Sequence, residues 1–178
     1  MAVKLAYTEH INFGNLDGWA MSREVFAWLI DNLNDNDTIV EFGSGTGTVE
    51  LAKFFDVHSV ENDKAWMLVG DTNYIHAPLK RNGWYDPTVM DKLPDEYKLV
   101  IIDGPKGSKA RRGIIPHAHK LRKDAYIIVD DTHRLADFKL ASELAEILGR
   151  DMRTIDGHEK HAIILMPIGY EQKPEELP

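Results

Sequence analysis

The sequence has no cysteine among its 178 residues, so disulfide bonds, thiolate metal sites and a cysteine nucleophile are excluded. Long apolar runs are absent as well: none approaches the roughly 20 residues that a membrane-spanning helix needs. The first ten residues, Met1 to His10, lack the charged start and the apolar stretch of a signal peptide. We therefore expect a cytoplasmic protein that has no membrane partner.

Basic residues are outnumbered: 21 Lys and Arg stand against 29 Asp and Glu, which gives a formal net charge of −8. Such a surface does not favour nucleic acid, so a nucleic-acid partner is expected only where a local basic patch exists. The apolar fraction of 43% and the length fit one globular domain with its own core. We place this domain at residues 22–169, after an N-terminal segment, 1–21, and before an acidic, proline-rich tail, 170–178, that we expect to be disordered. Nothing in the sequence indicates an oligomeric state.

Apolar periodicity predicts strands that alternate with helices along the chain. The predicted strands are residues 39–42, 57–61, 73–76, 98–102, 125–129, 152–155 and 161–166, and the predicted helices are 22–33, 48–55, 112–122 and 135–148. This alternation is typical of a mainly parallel sheet with right-handed crossovers. The Asp156-Gly157 pair between the last two strands indicates a closing antiparallel hairpin.

Residues 38–47 read Thr-Ile-Val-Glu-Phe-Gly-Ser-Gly-Thr-Gly, and Glu61 ends the next predicted strand. Glycines in such a turn allow a sharp reversal and let the backbone approach a ligand without a Cβ in the way. A carboxylate at the tip of the second strand can accept hydrogen bonds from both ribose hydroxyls of a nucleoside. The pattern therefore predicts a nucleoside-cofactor site in an open α/β sheet. The alternative is a purely structural strand–turn–helix with Glu61 on the surface.

Two positions indicate which cofactor this site takes. The dinucleotide fingerprint Gly-x-Gly-x-x-Gly needs its third glycine where this chain has Thr48. A carboxylate at Glu41, two residues before the first glycine, suits a cation better than a pyrophosphate. S-adenosylmethionine carries a sulfonium and an ammonium group but no phosphate. The segment acid-x-Gly-x-Gly-x-Gly resembles motif I of the class I S-adenosylmethionine-dependent methyltransferases.

This resemblance implies a Rossmann-like class I methyltransferase fold, an α/β structure with a mainly parallel seven-stranded sheet, an antiparallel last strand and helices on both faces. It also implies an enzyme that uses S-adenosylmethionine, with Glu61 as the ribose-binding acid. The cofactor-binding positions that we predict are Glu41, Gly43, Ser44, Gly45, Gly47, Glu61 and Asp103.

Acidic side chains follow two further buried strands. Asp103 comes directly after the strand 98–102, and Asp130 and Asp131 come after the strand 125–129. The carboxyl ends of neighbouring parallel strands meet at one edge of a sheet, so these acids are expected to lie side by side. Packed carboxylates repel one another unless a positive group lies among them. Magnesium or manganese is a natural candidate because both prefer hard oxygen ligands. The alternative roles are a helix N-cap for the acidic pair and a strand-end cap for Asp103.

A narrower resemblance rests on the same residues. Asp103 followed by Lys106, with an acidic pair after the next strand, resembles the metal-dependent catechol-type O-methyltransferases. That likeness implies metal ligands at Asp103, Asp130 and Asp131 and a catalytic role for Lys106 together with Asp103. The chain departs from that family at Asp131, where the family has an amide, and at the pair 104–105. The Asp-Gly-Pro block and the Asp-x-x-Arg end also resemble the glucuronoxylan 4-O-methyltransferases, in which histidine stands at the position of Asp130.

The loop 106–113 places four cations within seven residues of a net-acidic protein. We predict that Arg111 and Arg112 bind an anionic acceptor, because the planar guanidinium matches carboxylate and phosphate groups. An ordinary solvated loop is an equally good explanation of this charge. Trp84 and Tyr85, in a long loop, are expected either to stack on a ligand or to pin the loop to the core.

These patterns together predict a small S-adenosylmethionine-dependent O-methyltransferase, assisted by a divalent metal, that acts on a hydroxyl of an anionic or polyhydroxyl acceptor. The acceptor is expected to be a small molecule or a carbohydrate. Methylation of cytosine at C5 is not expected, because that chemistry adds a thiolate to the ring. One alternative is an N-methyltransferase acting on nucleic acid or protein, although the stretch 103–106 lacks the Pro-Pro-aromatic signature of such enzymes. The other alternative is a nucleotide-binding module without catalysis, which would not need Lys106 or Asp131.

Overall fold

A computed structural model describes residues 21–68, 72–158 and 160–170 of the chain. Seven strands form one sheet in the order β3-β2-β1-β4-β5-β7-β6. The strands are β1 Thr38–Phe42, β2 Asp56–Glu61, β3 Asn73–His76, β4 Leu99–Ile102, β5 Tyr126–Val129, β6 Met152–Asp156 and β7 His161–Leu165. The strands β1 to β5 pair in parallel, whereas β7 runs antiparallel to both of its neighbours, β5 and β6. The predicted sheet is confirmed, and its antiparallel last strand is inserted between β5 and β6.

Within the described ranges, four α-helices and three 3-10 helices precede or connect these strands. The α-helices are α1 Arg23–Asn32, α2 Thr46–Leu51, α3 Ser108–Arg111 and α4 Leu135–Leu148, and the 3-10 helices span Lys64–Trp66, Pro87–Asp91 and Arg112–Lys120. Ser22 is the N-cap of α1, since its side chain accepts a hydrogen bond from the Val25 backbone N–H at 3.3 Å. At the other end of the fold, α4 ends at Gly149, which adopts the left-handed conformation with φ of 62°.

Apolar side chains fill both faces of the sheet, which is why the central strands read as continuous apolar runs. Within β4, Leu99 and Ile101 pack on one side while Val100 and Ile102 pack on the other, following the two-residue period of a strand. The first side is covered by α1 and α2, and the second by α4 and the 3-10 helix Arg112–Lys120. The sheet therefore holds the ends of β1, β2, β4 and β5 rigidly between two apolar layers.

The helix predicted at residues 112–122 has a different geometry. An α-helix begins earlier, at Ser108, and gives way to the 3-10 helix Arg112–Lys120, which contains Pro116. Proline lacks the N–H that an α-helix needs and its ring clashes with the carbonyl four residues before it. Because Pro116 stands in the middle of the segment, the chain takes the tighter 3-10 winding there.

Two apolar side chains of α4 are exposed to solvent. Leu135 is 68% exposed and Phe138 is 45% exposed, whereas Leu140, Ala141 and Leu144 are buried in the core. In the long loop between β3 and β4, Trp84 and Tyr85 are fully buried against Phe42, so these aromatic rings pin the loop to the core.

No helix within the described ranges combines the length and the apolar character needed to span a bilayer. The predicted disorder of the tail and the structure of residues 1–20 both fall outside the described residues, so those expectations stay predictions.

Candidate functional site

The carboxyl ends of β1, β2, β4 and β5 open into a cavity of about 330 Å³. This cavity lies where the strand order reverses, between β1 and β4, which is the usual ligand position in an open α/β sheet. All seven predicted cofactor-binding residues line this cavity: Glu41, Gly43, Ser44, Gly45, Gly47, Glu61 and Asp103. The sequence-predicted positions therefore converge on one site.

Two glycines join the turns after β1 and β4 back to back. Gly43 has φ of 99°, and a Cβ on it would lie 2.7 Å from the Gly104 nitrogen. A Cβ on Gly104 would lie 2.5 Å from the Gly43 Cα and 2.7 Å from the Tyr85 hydroxyl. Gly45, in contrast, has no atom within 4 Å of the position of a Cβ. Gly43 is therefore required by packing between two turns, while Gly45 leaves open space beside the cavity.

Glu61 lies at the tip of β2 and is held there by backbone N–H groups. Its Oε2 accepts a hydrogen bond from the Ser44 N–H at 2.9 Å, and its Oε1 accepts from Asn62 and Asp63 at 2.6 and 2.7 Å. The carboxylate is thus fixed between the glycine turn and the end of β2. Oε2 takes one of these three bonds and so keeps acceptor capacity for a further hydroxyl group.

Glu41 is buried beneath the same turn. Its Oε2 accepts hydrogen bonds from the hydroxyls of Thr48 at 2.7 Å and Ser59 at 2.9 Å. Burial raises the pKa of Glu41 to about 8, although both hydroxyl bonds oppose that rise. The side chain is therefore mainly a neutral acid at pH 7, and not the carboxylate that the sequence pattern predicts. A cation beside it would favour loss of its proton.

The structure brings the three predicted metal ligands together. One carboxylate oxygen from each of Asp103, Asp130 and Asp131 lies within 4.8 Å of the others. Asp131 has φ of 60°, in the left-handed region that aspartate adopts more readily than most residues. That conformation lets two consecutive aspartates reach the same cluster. Burial, followed by repulsion from Asp103 and Asp131, raises the pKa of Asp130 to about 7.

A guanidinium group already lies among these acids. Arg111 is 4% exposed, and its Nη2 is 3.0 Å from Asp103 Oδ1 and 3.1 Å from Asp131 Oδ2. Its Nη1 is 3.4 Å from Asp137 Oδ1, while the Ser108 hydroxyl donates to the other oxygen of Asp137. Arg111 therefore acts as an internal counter-charge for the cluster. Arg111 also lines the cavity, so its predicted contact with an acceptor stays a prediction.

The remaining oxygens of the cluster fit a hard divalent cation. Both carboxylate oxygens of Asp130 and Oδ1 of Asp131 are buried without a hydrogen-bond partner in the described structure. Buried carboxylate oxygens that lack partners are costly, and a cation with oxygen ligands would satisfy them. Arg111 uses Asp103 Oδ1 and Asp131 Oδ2, so the guanidinium and a cation would bind different oxygens of the shared acids.

Of the other predicted catalytic and acceptor residues, one lines the cavity and one lies outside it. Lys106 is exposed and lines the cavity beside Asp103. Arg112 does not line the cavity; its Nη2 pairs with Glu143 Oε2 at 2.5 Å on the outer surface. The predicted acceptor role of Arg112 therefore has no support in its position.

Two basic residues outside the predicted set, Arg134 and Lys160, also line the cavity. Arg134 Nη1 lies 3.0 Å from Asp131 Oδ2, and Lys160 Nζ lies 3.9 Å from Asp131 Oδ1. The spacing Asp131-x-x-Arg134 was a usable signal for the first contact. Lys160 lies in the turn between β6 and β7, and nothing in the local sequence indicates that this turn reaches the end of β5.

Comparisons with known proteins bear on the fold. No protein-family model matches the sequence, and no curated protein matches it. Solved structures do match. The MycE methyltransferase of the mycinamycin biosynthetic pathway, in complex with Mg, SAH and mycinamycin VI, has a TM-score of 0.57 and 14% identity over 97% of this chain and 56% of its own.

Two further structures match at similar levels. A ribosomal protein L11 methylase from Lactobacillus delbrueckii subsp. bulgaricus has a TM-score of 0.55 and 15% identity over 82% of this chain and 77% of its own. An rRNA methylase from Streptococcus thermophilus has a TM-score of 0.54 and 12% identity over 82% and 95%. These likenesses confirm that the chain has the class I methyltransferase fold. The names of the matched proteins cover different acceptor classes, so they do not identify the acceptor here.

Proposed function

We propose that this protein is an S-adenosylmethionine-dependent O-methyltransferase, assisted by magnesium or manganese, that acts on a hydroxyl of an anionic or polyhydroxyl acceptor. The observation that carries this proposal is the meeting of two groups of residues in one cavity. Glu61 and the glycine turn stand on one side of the switch between β1 and β4, and the acids at the ends of β4 and β5 stand on the other.

The cofactor half of the cavity suits a nucleoside with a cationic tail. Glu61 is held in place by three backbone N–H groups and accepts ribose hydroxyls with its remaining capacity. Gly45 leaves space for the ligand along the turn. Glu41 loses its proton when the cationic part of S-adenosylmethionine lies nearby, so a buried neutral acid becomes a counter-charge. A pyrophosphate in the same place would instead keep Glu41 protonated and would gain no counter-charge from it.

The acceptor half supports nucleophilic attack by a hydroxyl oxygen. S-adenosylmethionine would supply the methyl group, which the oxygen attacks in line as the bond to sulfur breaks. Asp103, Asp130 and Asp131 would hold a divalent cation, whose charge would favour the ionised form of the acceptor hydroxyl. Arg111 keeps Asp103 and Asp131 in one arrangement. Lys106, which lines the same cavity, would take the departing proton in its neutral amine form, since the ammonium form has no lone pair to accept it.

Transfer of a radiolabelled methyl group tests this function. We would incubate the protein with S-adenosylmethionine and a panel of sugar acids, catechols and nucleotides, with magnesium or with EDTA, and score label on each compound. We expect transfer to oxygen that requires the metal and that is abolished by Asp103→Asn, while Asp151→Asn, an exposed acid on the far edge of the sheet, leaves it unchanged. Full transfer in EDTA would contradict the metal role, and transfer only to nitrogen atoms of the nucleotides would contradict the O-methyltransferase proposal.

A further inference from the structure

Arg134 and Lys160 come from different loops and meet at the same wall of the cavity. Arg134 directly precedes α4, and Lys160 lies in the turn before β7. Both line the cavity, and both contact Asp131, at 3.0 and 3.9 Å. Long-range topology, rather than local sequence, has placed two cations beside the proposed site of methyl transfer.

The position of this wall assigns it to the acceptor rather than to the cofactor. Arg134 follows β5, whereas the ribose acid Glu61 ends β2, and β1 and β4 lie between those strands. Three strand spacings separate β2 from β5, or about 14 Å. A cofactor whose ribose lies at Glu61 would extend from β2 towards the switch between β1 and β4, so a group beside Arg134 would lie beyond the end that carries the methyl group.

The guanidinium of Arg134 is anchored but still accessible. Its side chain is 48% exposed, whereas that of Asp131 beneath it is 5% exposed. The contact with Asp131 engages Nη1, and a guanidinium carries five N–H donors in a planar fork. Asp131 Oδ2 is also held by the buried Arg111, so the anchor is rigid. A fixed fork that faces a cavity suits bidentate binding of a carboxylate or a phosphate.

We infer that Arg134, with support from Lys160, binds a carboxylate or phosphate group of the methyl acceptor. This inference rests on the proposed function and narrows it: the acceptor is an anion, and the anion-binding residues are Arg134 and Lys160 in place of Arg111 and Arg112. The acceptor then carries its negative group on the β5 side of the hydroxyl that is methylated.

Calorimetric titration of the protein saturated with S-adenosylhomocysteine, at one fixed magnesium concentration, tests this inference. The probes are three matched pairs: glucuronate and glucose, 3,4-dihydroxybenzoate and catechol, and glycerol 3-phosphate and glycerol. We expect at least one anionic member to bind about tenfold or more tightly than its neutral partner. The pair that shows the preference distinguishes carboxylate from phosphate.

Substitutions in the cavity wall show which residues cause the tighter binding of the anionic probe. Arg134→Ala should remove it, Lys160→Ala should reduce it, and Arg134→Lys should keep part of it because the charge remains but the planar fork is lost. Lys139→Ala, an exposed cation of α4 outside the cavity, is the matched control and should bind like the wild type. Thermal unfolding of each variant confirms that it is folded.

The inference is overturned if no anionic probe binds better than its neutral partner, or if Arg134→Ala keeps the preference. It is also overturned if Arg134→Ala weakens S-adenosylhomocysteine itself about tenfold, because Arg134 would then bind the carboxylate of the cofactor. A different result would show that the proposed function is wrong: the wild-type protein would not bind S-adenosylhomocysteine at all.

Discussion

Replacing Glu41 by glutamine gives the most quantitative test of how the site is built. Burial raises the pKa of this acid from 4.5 to about 8, so the folded protein must take up a proton that the unfolded chain has released at neutral pH. Because the pKa is raised, the contribution of Glu41 to the free energy of unfolding is fully present below pH 4.5 and is lost as the pH rises towards 8. Glutamine has nearly the same shape and carries no proton equilibrium.

The size of the effect follows from those two pKa values. Keeping Glu41 protonated costs on the order of 1 kcal/mol at pH 5 and on the order of 3 kcal/mol at pH 7. The advantage of Glu41→Gln over the wild type should therefore grow by roughly 2–3 kcal/mol between these two pH values. Any constant cost of the amide, such as an altered hydrogen bond to Thr48 or Ser59, cancels in this comparison.

Urea unfolding of both proteins at pH 5 and pH 7 measures the difference directly. Glu146→Gln, at an exposed position of α4, controls for the change of one charge. A Glu41→Gln advantage that is the same at both pH values, within about 0.5 kcal/mol, would show that Glu41 is already ionised in the folded protein. The reasoning about its burial would then be refuted.

Three further changes probe other contacts of the site. Arg111→Met should destabilise the fold by about 3–5 kcal/mol, because it leaves buried carboxylates without their counter-charge; denaturant unfolding measures this, and a loss under 1 kcal/mol would contradict the role. Gly104→Ala should cost about 1–3 kcal/mol by thermal unfolding, since its Cβ would meet Gly43 at 2.5 Å, and an unchanged melting temperature would show that the two turns separate easily. Lys106→Met should lower the turnover number more than it weakens acceptor binding, and steady-state kinetics that show only a higher Michaelis constant would assign it to binding instead.

The sheet could be predicted because its signals are local. The central strands β4 and β5 are short apolar runs, and the strand 73–76, which is more polar, was predicted with the bounds that the structure has. The glycine turn and Glu61 were recognisable for the same reason, since the chain fixes their separation. The helix around Pro116 was predicted less well, because the sequence shows that an α-helix is disturbed there but not which winding replaces it.

Local sequence patterns could not predict which basic side chains face the site. Arg111 and Arg112 are adjacent in sequence, yet one guanidinium is buried among carboxylates and the other lies on the outer surface with Glu143. Which neighbour faces inward depends on how α3 and α4 pack, and therefore on contacts distant in sequence. Lys160 reaches Asp131 only because β7 lies next to β5, which is a property of the whole sheet.

Calorimetric titration with S-adenosylhomocysteine and with NAD tests the central claim most directly. We expect wild-type protein to bind S-adenosylhomocysteine and not NAD, and Glu61→Ala to weaken that binding by about 1.5–3 kcal/mol, the range for hydrogen bonds to a charged group. Glu146→Gln should leave it unchanged. Tight binding of NAD, with no measurable binding of S-adenosylhomocysteine, would contradict the assignment of the cavity to a methyl donor.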